Sequence, residues 1–195
     1  LGDQFKEFVN CPTIEKNVLI QRGIISHGKG NINPSEGIIS NGSTIVVPQG
    51  MAMMIIENGE IKEFTADAGT FYFDTSSESS IFTGGLGKGI IETFKTIGKR
   101  FTYGGQTAKD QRVYYVNLLT ITGNKFGSPQ PKKITDEKYG MLEVTFFGEF
   151  AFKVVDPILL VNSVIGANPQ DTITYDQIIG SQLQSKFVEK LTQAI

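Results

Sequence analysis

Apolar and polar positions keep two different periods along this chain. From residue 1 to about 75 the apolar residues come in short runs separated by turn-forming pairs, and these runs predict strands. Gln4–Val9 reads as one helical turn or a strand with Phe5, Phe8 and Val9 inside, and Val18–Ile25 reads as a strand ending in a Gly/Asn-rich stretch, Ser26–Asn33. Asn41-Gly42 marks a turn before an Ile45–Val47 strand. The run Met51–Ile56 leads into Asn58-Gly59, which accept positive φ most cheaply and so predict a tight hairpin with the alternating return strand Glu60–Phe64. Gly69–Phe73 is a further, aromatic strand, and the whole segment is expected to form short antiparallel strands.

Ser76–Gly89 breaks this pattern. Beyond it Leu86, Ile90, Ile91, Phe94, Ile97 and Phe101 recur at helical spacing, with Lys88, Lys95, Lys99 and Arg100 on the opposite face. Strand periodicity then returns over Arg112–Ile121 and over Met141–Val155, a long alternating strand in which Gly148 is expected to bend or bulge. Asp156-Pro157 forms an N-cap followed by the residue favoured at the first helical position, and with Gly166 as a C-cap it brackets a helix. Thr174-Tyr175-Asp176-Gln177 has the form of a capping box. It opens a last predicted helix with a stripe of Ile178, Ile179, Leu183, Phe187, Val188, Leu191 and Ile195.

Composition narrows the function classes. The 195 residues carry a net charge of −2, with 39% apolar and 19% charged residues, which fits a globular chain with a real core. No Lys/Arg run of the kind that tracks phosphates appears, so nucleic acid is not an expected partner. Cys11 is the single cysteine, which excludes an intrachain disulfide and a thiolate metal cluster. No segment approaches the roughly 20 apolar residues that span a bilayer. The chain opens on Leu1 and stops inside its last apolar stripe, so it is expected to be part of a longer protein.

Candidate chemistry is sparse. Gly84-Gly85-Leu86-Gly87-Lys88-Gly89 before a helix has a phosphate-loop look, but Gly89 stands where a Walker loop needs Ser or Thr, and Phe82 where it needs its first Gly. His27 lies in a predicted turn with no second His to share a metal. The carboxylate pairs Asp136/Glu137 and Glu57/Glu60 flank turns and read as solvated rather than poised for acid–base work. Lys88, Lys95, Lys99 and Arg100, backed by an apolar stripe, suit the surface of an anionic bilayer, and are the candidate membrane-facing residues. A packed amphipathic helix with wet lysines gives the same pattern. Leu183, Phe187, Leu191 and Ile195, in a helix cut mid-stripe, are the candidate oligomerisation residues. No catalytic, cofactor-binding or metal-ligating residue is assigned.

Taken in order, Asn58-Gly59, Gly69-Thr70-Phe71, Phe82–Gly87, Lys99–Gly105, Val113–Asn117, Lys125–Pro129 and Phe152–Pro157 make the chain similar to the bacterial SPFH/Band 7 domain of stomatins, prohibitins and flotillins. Within that family it resembles the subgroup labelled virion core protein-like, found beside phage-shock-type membrane-stress proteins. It departs from the family near the start, where Asn10-Cys11 replaces the usual Glu-Trp and no Trp occurs anywhere. The resemblance implies an α+β fold, an antiparallel sheet with packed helices. Residues 41–195 would form the domain, truncated in its last helix, with 1–40 a strand-rich part of the same unit. It also implies a non-enzymatic scaffold without cofactor that homo-oligomerises, docks on anionic lipid at the cytoplasmic face of the cell membrane and organises partners there, in membrane stress. The alternative is a soluble peptide- or small-ligand-binding module whose Ser76–Gly89 loop holds the ligand.

Overall fold

Met51–Ile56 is apolar at every position because both faces of its strand are buried, the condition that turns alternation into a continuous hydrophobic run. This strand, β5 (Met51–Glu57), lies beside β8 (Gln111–Asn117) in a five-stranded sheet of order β13-β2-β8-β5-β6. The other members are β2 (Val18–Arg22), β6 (Glu60–Thr65) and β13 (Thr172–Thr174). Side chains divide by parity. Met51, Met53, Ile55, Val113 and Tyr115 enter one core, while Ala52, Met54, Ile56, Tyr114 and Val116 enter the other. The computed structural model describes residues 7–27, 39, 43–73, 111–164, 170–178 and 180–194. The predicted basic helix, the Ser76–Gly89 loop, the glycine hexad, the Asn41-Gly42 turn and Gly166 lie outside those residues.

A four-stranded sheet covers the first core in the order β3-β1-β4-β7, built from β1 (Glu7–Asn10), β3 (Ile24–His27), β4 (Thr44–Val47) and β7 (Gly69–Tyr72). It contributes Val9, Ile45 and Val47, all fully or almost fully buried. The predicted strand over residues 18–25 is therefore two strands in two sheets, with the change of sheet at Gly23, whose N–H donates to the Val113 carbonyl at 2.7 Å. β4 and β5 part company in the same way across Pro48–Gly50, where Met51 N–H donates to Pro48 O. The expectation of purely antiparallel strands fails at one pair, since β1 runs parallel to β4. His27 ends β3 opposite Glu7 instead of sitting in a turn. The Asn58-Gly59 hairpin is as predicted, with φ of 52° and 83° at its two turn residues.

The second core is closed by α1 (Pro157–Val164), α2 (Tyr175–Ile178) and a long two-stranded ribbon. Asp156 Oδ1 accepts from Leu159 N–H at 2.9 Å, the predicted N-cap. Thr174 N–H donates to Gln177 Oε1 at 2.9 Å, one half of the predicted capping box. The box opens the short α2, and the apolar stripe continues in a separate helix, α3 (Gly180–Ala194). An α+β architecture results, three layers deep, with the five-stranded sheet in the middle.

Candidate association surface

The ribbon carries Phe147, the most exposed large apolar side chain among the described residues. Its outgoing arm is β9 (Ile121–Gly127) and β10 (Lys132–Asp136), and its return arm is β11 (Gly140–Val144) and β12 (Phe147–Phe152). β9 pairs with β12 and β10 with β11, all antiparallel. Asp136 Oδ1 closes the tip by accepting from the N–H groups of Lys138 (2.8 Å) and Tyr139 (2.9 Å). The predicted long strand Met141–Val155 is thus two strands. The break lies at Thr145-Phe146 and not at Gly148.

Registers show that every irregularity sits on the outgoing arm. Between the Phe147–Gly127 and Val144–Lys132 pairs the outgoing arm holds four residues, 128–131, against two, Thr145 and Phe146, on the return arm. Between the Phe150–Asn124 and Phe152–Ile121 pairs it holds two residues against one, a bulge that includes Gly123 with φ +81°. The return arm stays regular, and its side chains alternate outward and inward without a slip from Met141 to Val155.

On the inward side the ribbon packs through aromatic rings. Phe187 of α3 stacks on Phe150 at 4.7 Å between ring centroids and on Phe126 at 5.5 Å, and Phe152 lies 4.6 Å from Tyr175. Gly148 makes this possible, because a Cβ there would come within 2.6 Å of the Phe126 ring. Gln184 Nε2 of α3 donates to the Lys125 carbonyl at 3.2 Å. Between α3 and the outgoing arm lies an open cleft of about 720 Å³, lined by Pro129, Lys132, Gln184, Val188, Glu189 and Gln193 among others.

Of the residues picked from sequence, Phe187 is 37% exposed and turned toward its own ribbon, and Leu191 is half-buried on α3. Leu183 is in α3 with its side chain outside the described set, as is Ile195. Lys88, Lys95, Lys99 and Arg100 also fall outside it. Met141 and Phe147, which the sequence does not single out, are exposed on the outer face of the return arm, Phe147 to 91%. Their signal was present in the alternation of Met141–Val155, which names an outer face once the strand is known to have a partner on one side.

Titratable groups away from the ribbon are tuned toward packing. Burial pushes the Cys11 thiol up to about 11, so at neutral pH it is protonated and a poor nucleophile. Burial, with Cys11 nearby, raises the Tyr115 hydroxyl well above its ordinary range, and that hydroxyl donates to the Val46 carbonyl at 2.7 Å. Among the described residues no group of three or more His, Cys, Asp or Glu is placed to hold a metal ion, and no helix is long and apolar enough to cross a membrane.

Comparison with known proteins gives one result. The family model described as SPFH domain-Band 7 family matches residues 33–195. No curated protein and no solved structure matches the chain significantly.

Proposed function

The chain belongs to the SPFH domain-Band 7 family, whose members are generally membrane-associated scaffolds, and from that premise we propose that it self-assembles and organises partner proteins at the cytoplasmic face of a bacterial membrane. The family match over residues 33–195 carries this reading. Met141 and Phe147, exposed on the outer face of the return arm, support the assembly half of it, since exposed apolar side chains suit protein contact better than catalysis. Lipid contact falls to the cationic positions Lys88, Lys95, Lys99 and Arg100, on anionic headgroups. Membrane stress is the setting that the subgroup resemblance suggests, and the chemistry of the chain is contact rather than bond making.

Sedimentation with anionic and with neutral liposomes tests the reading. Binding to anionic vesicles that is lost when the four cationic positions become Glu is the expected result. Equal recovery with both lipids, or binding unmoved by the four substitutions, would contradict it. The cleft beside α3 favours a second reading, a soluble module for a peptide or small ligand. That reading expects no vesicle binding, and a ligand whose affinity changes with Gln184→Ala and Glu189→Ala.

A further inference from the structure

The two long edges of the ribbon are built differently. On the outgoing edge α3 lies alongside β9 and Gln184 takes up the Lys125 carbonyl. Pro129 and Pro131 withhold N–H donors where β9 passes to β10, and Lys132 and Lys133 follow. Helices, prolines and lysines are the devices that stop a strand edge from pairing with another chain. The return edge, Gly140–Phe152, has no proline, no bulge and no further strand beside it among the described residues. It is about 40 Å long, in two strands joined at Thr145-Phe146, and its outer face sets Met141 and Phe147 among Glu143, Thr145 and Glu149.

Two hydrogen bonds fix which backbone groups face that edge. Ser128 N–H donates to Phe146 O across the ribbon, at 2.9 Å, while the Lys125 carbonyl, opposite Glu149, points away from it toward α3. In an antiparallel ladder, bonded and non-bonded pairs alternate. Even-numbered residues of the return arm therefore turn N–H and C=O toward the outgoing arm, and Glu143, Thr145, Phe147 and Glu149 turn theirs outward.

We infer that this edge pairs with the same edge of a second copy, antiparallel about a two-fold axis at Gly148, giving a four-stranded sheet across two chains. This rests on the scaffold reading and names the surface through which the scaffold begins. Charge favours this register over the one centred on Phe146. With the axis at Gly148, Phe147 faces Glu149 of the second copy so that both outward sets of backbone groups bond, and Glu143 faces Lys153 twice by symmetry. Moving the axis to Phe146 would set Glu143 against Glu149 of the other copy, a like-charge pair that opposes pairing. Among the described residues Glu143 meets Lys133 at 3.8 Å, with both side chains largely exposed. Across the axis the two Phe147 rings become diagonal neighbours within aromatic reach, covering the most exposed large apolar side chain among the described residues. A two-fold contact of this edge with itself is isologous and closes at two chains without running on into a filament.

Analytical ultracentrifugation of the full chain over a range of concentrations tests this directly. A reversible dimer is expected. Glu143→Lys and Lys153→Glu should each weaken it about tenfold, and the double exchange should restore it. Glu149→Pro removes an outward N–H without touching the bond to β9, and should weaken it about a hundredfold. Circular dichroism of each variant separates loss of pairing from loss of fold, and the charge exchange serves if the proline variant unfolds. A monomer at every concentration, or an oligomer indifferent to the charge exchange, would overturn the inference. Liposome binding by the same variants reads the scaffold proposal separately. Vesicle binding without the dimer would sink only the edge pairing, and the dimer without vesicle binding would sink only the membrane role.

Discussion

The five-stranded sheet and the ribbon are both strand-rich, yet they put hydrophobic residues to opposite uses. In β5 and β8 apolar residues face two cores, so parity decides which core a side chain joins, and no face is left over. In the ribbon one face rests on Phe187 and Tyr175 while the other meets solvent, and Phe147 stands almost wholly exposed on it. The same strand-forming chemistry thus yields stability where both faces are covered and an exposed face where one is not.

Substitutions should separate these roles. Tyr115→Ala, at a fully buried site between the two sheets, should lower unfolding free energy by about 4 kcal/mol, measured by urea denaturation, and Tyr115→Phe by only about 1 kcal/mol for the lost bond to Val46. Phe187→Ala removes two ring stacks from a partly exposed position and should cost about 2 kcal/mol, with α3 loosening from the ribbon in amide exchange. A smaller Phe187 effect than that of Phe147 would reverse the comparison. Phe147→Ser should change monomer stability by less than about 0.5 kcal/mol despite removing an aromatic ring.

Alkaline titration of Cys11 and Tyr115 probes the core between the two sheets. The folded protein holds the Cys11 proton to about 11 against an ordinary value of 9.0, so between those values it binds more protons than the unfolded chain. The contribution is fully present below about pH 9, falls as pH rises toward 11 and then levels off. Tyr115, raised in the same direction, extends the fall to higher pH. A Tm profile of Cys11→Ala should decline less steeply over the pH 9 to 11 window, whereas ribbon variants should follow the parent curve.

Local signals made much of the fold legible. Asn58-Gly59 needed nothing beyond its own backbone preferences to fix a hairpin, and Asp156-Pro157 fixed a helix start, because turns and caps are settled within a few residues. What escaped was the assignment of strands to sheets. Val18–Ile25 looks like one strand because nothing local marks Gly23 as a change of layer; the cause is Val113 and the Tyr115 ring, about ninety residues away in the chain. The parallel pairing of β1 with β4 is likewise invisible to periodicity. At the candidate association surface, the alternation of Met141–Val155 is plain, but which edge is open depends on the extra residues at 128–131 and on α3, neither of which the alternation encodes. The stripe that makes Phe187 a candidate contact for another chain is visible in the sequence, while its stacking on Phe126 and Phe150 of its own ribbon is not.

Amide hydrogen exchange at low and high protein concentration tests pairing at the return edge residue by residue. Thr145, Phe147 and Glu149 amides should exchange quickly in dilute protein and slow markedly on concentration, while the even-numbered amides, already bonded to the outgoing arm, stay slow throughout. Odd-numbered amides that exchange at one rate at both concentrations, or that are protected from the start, would contradict it.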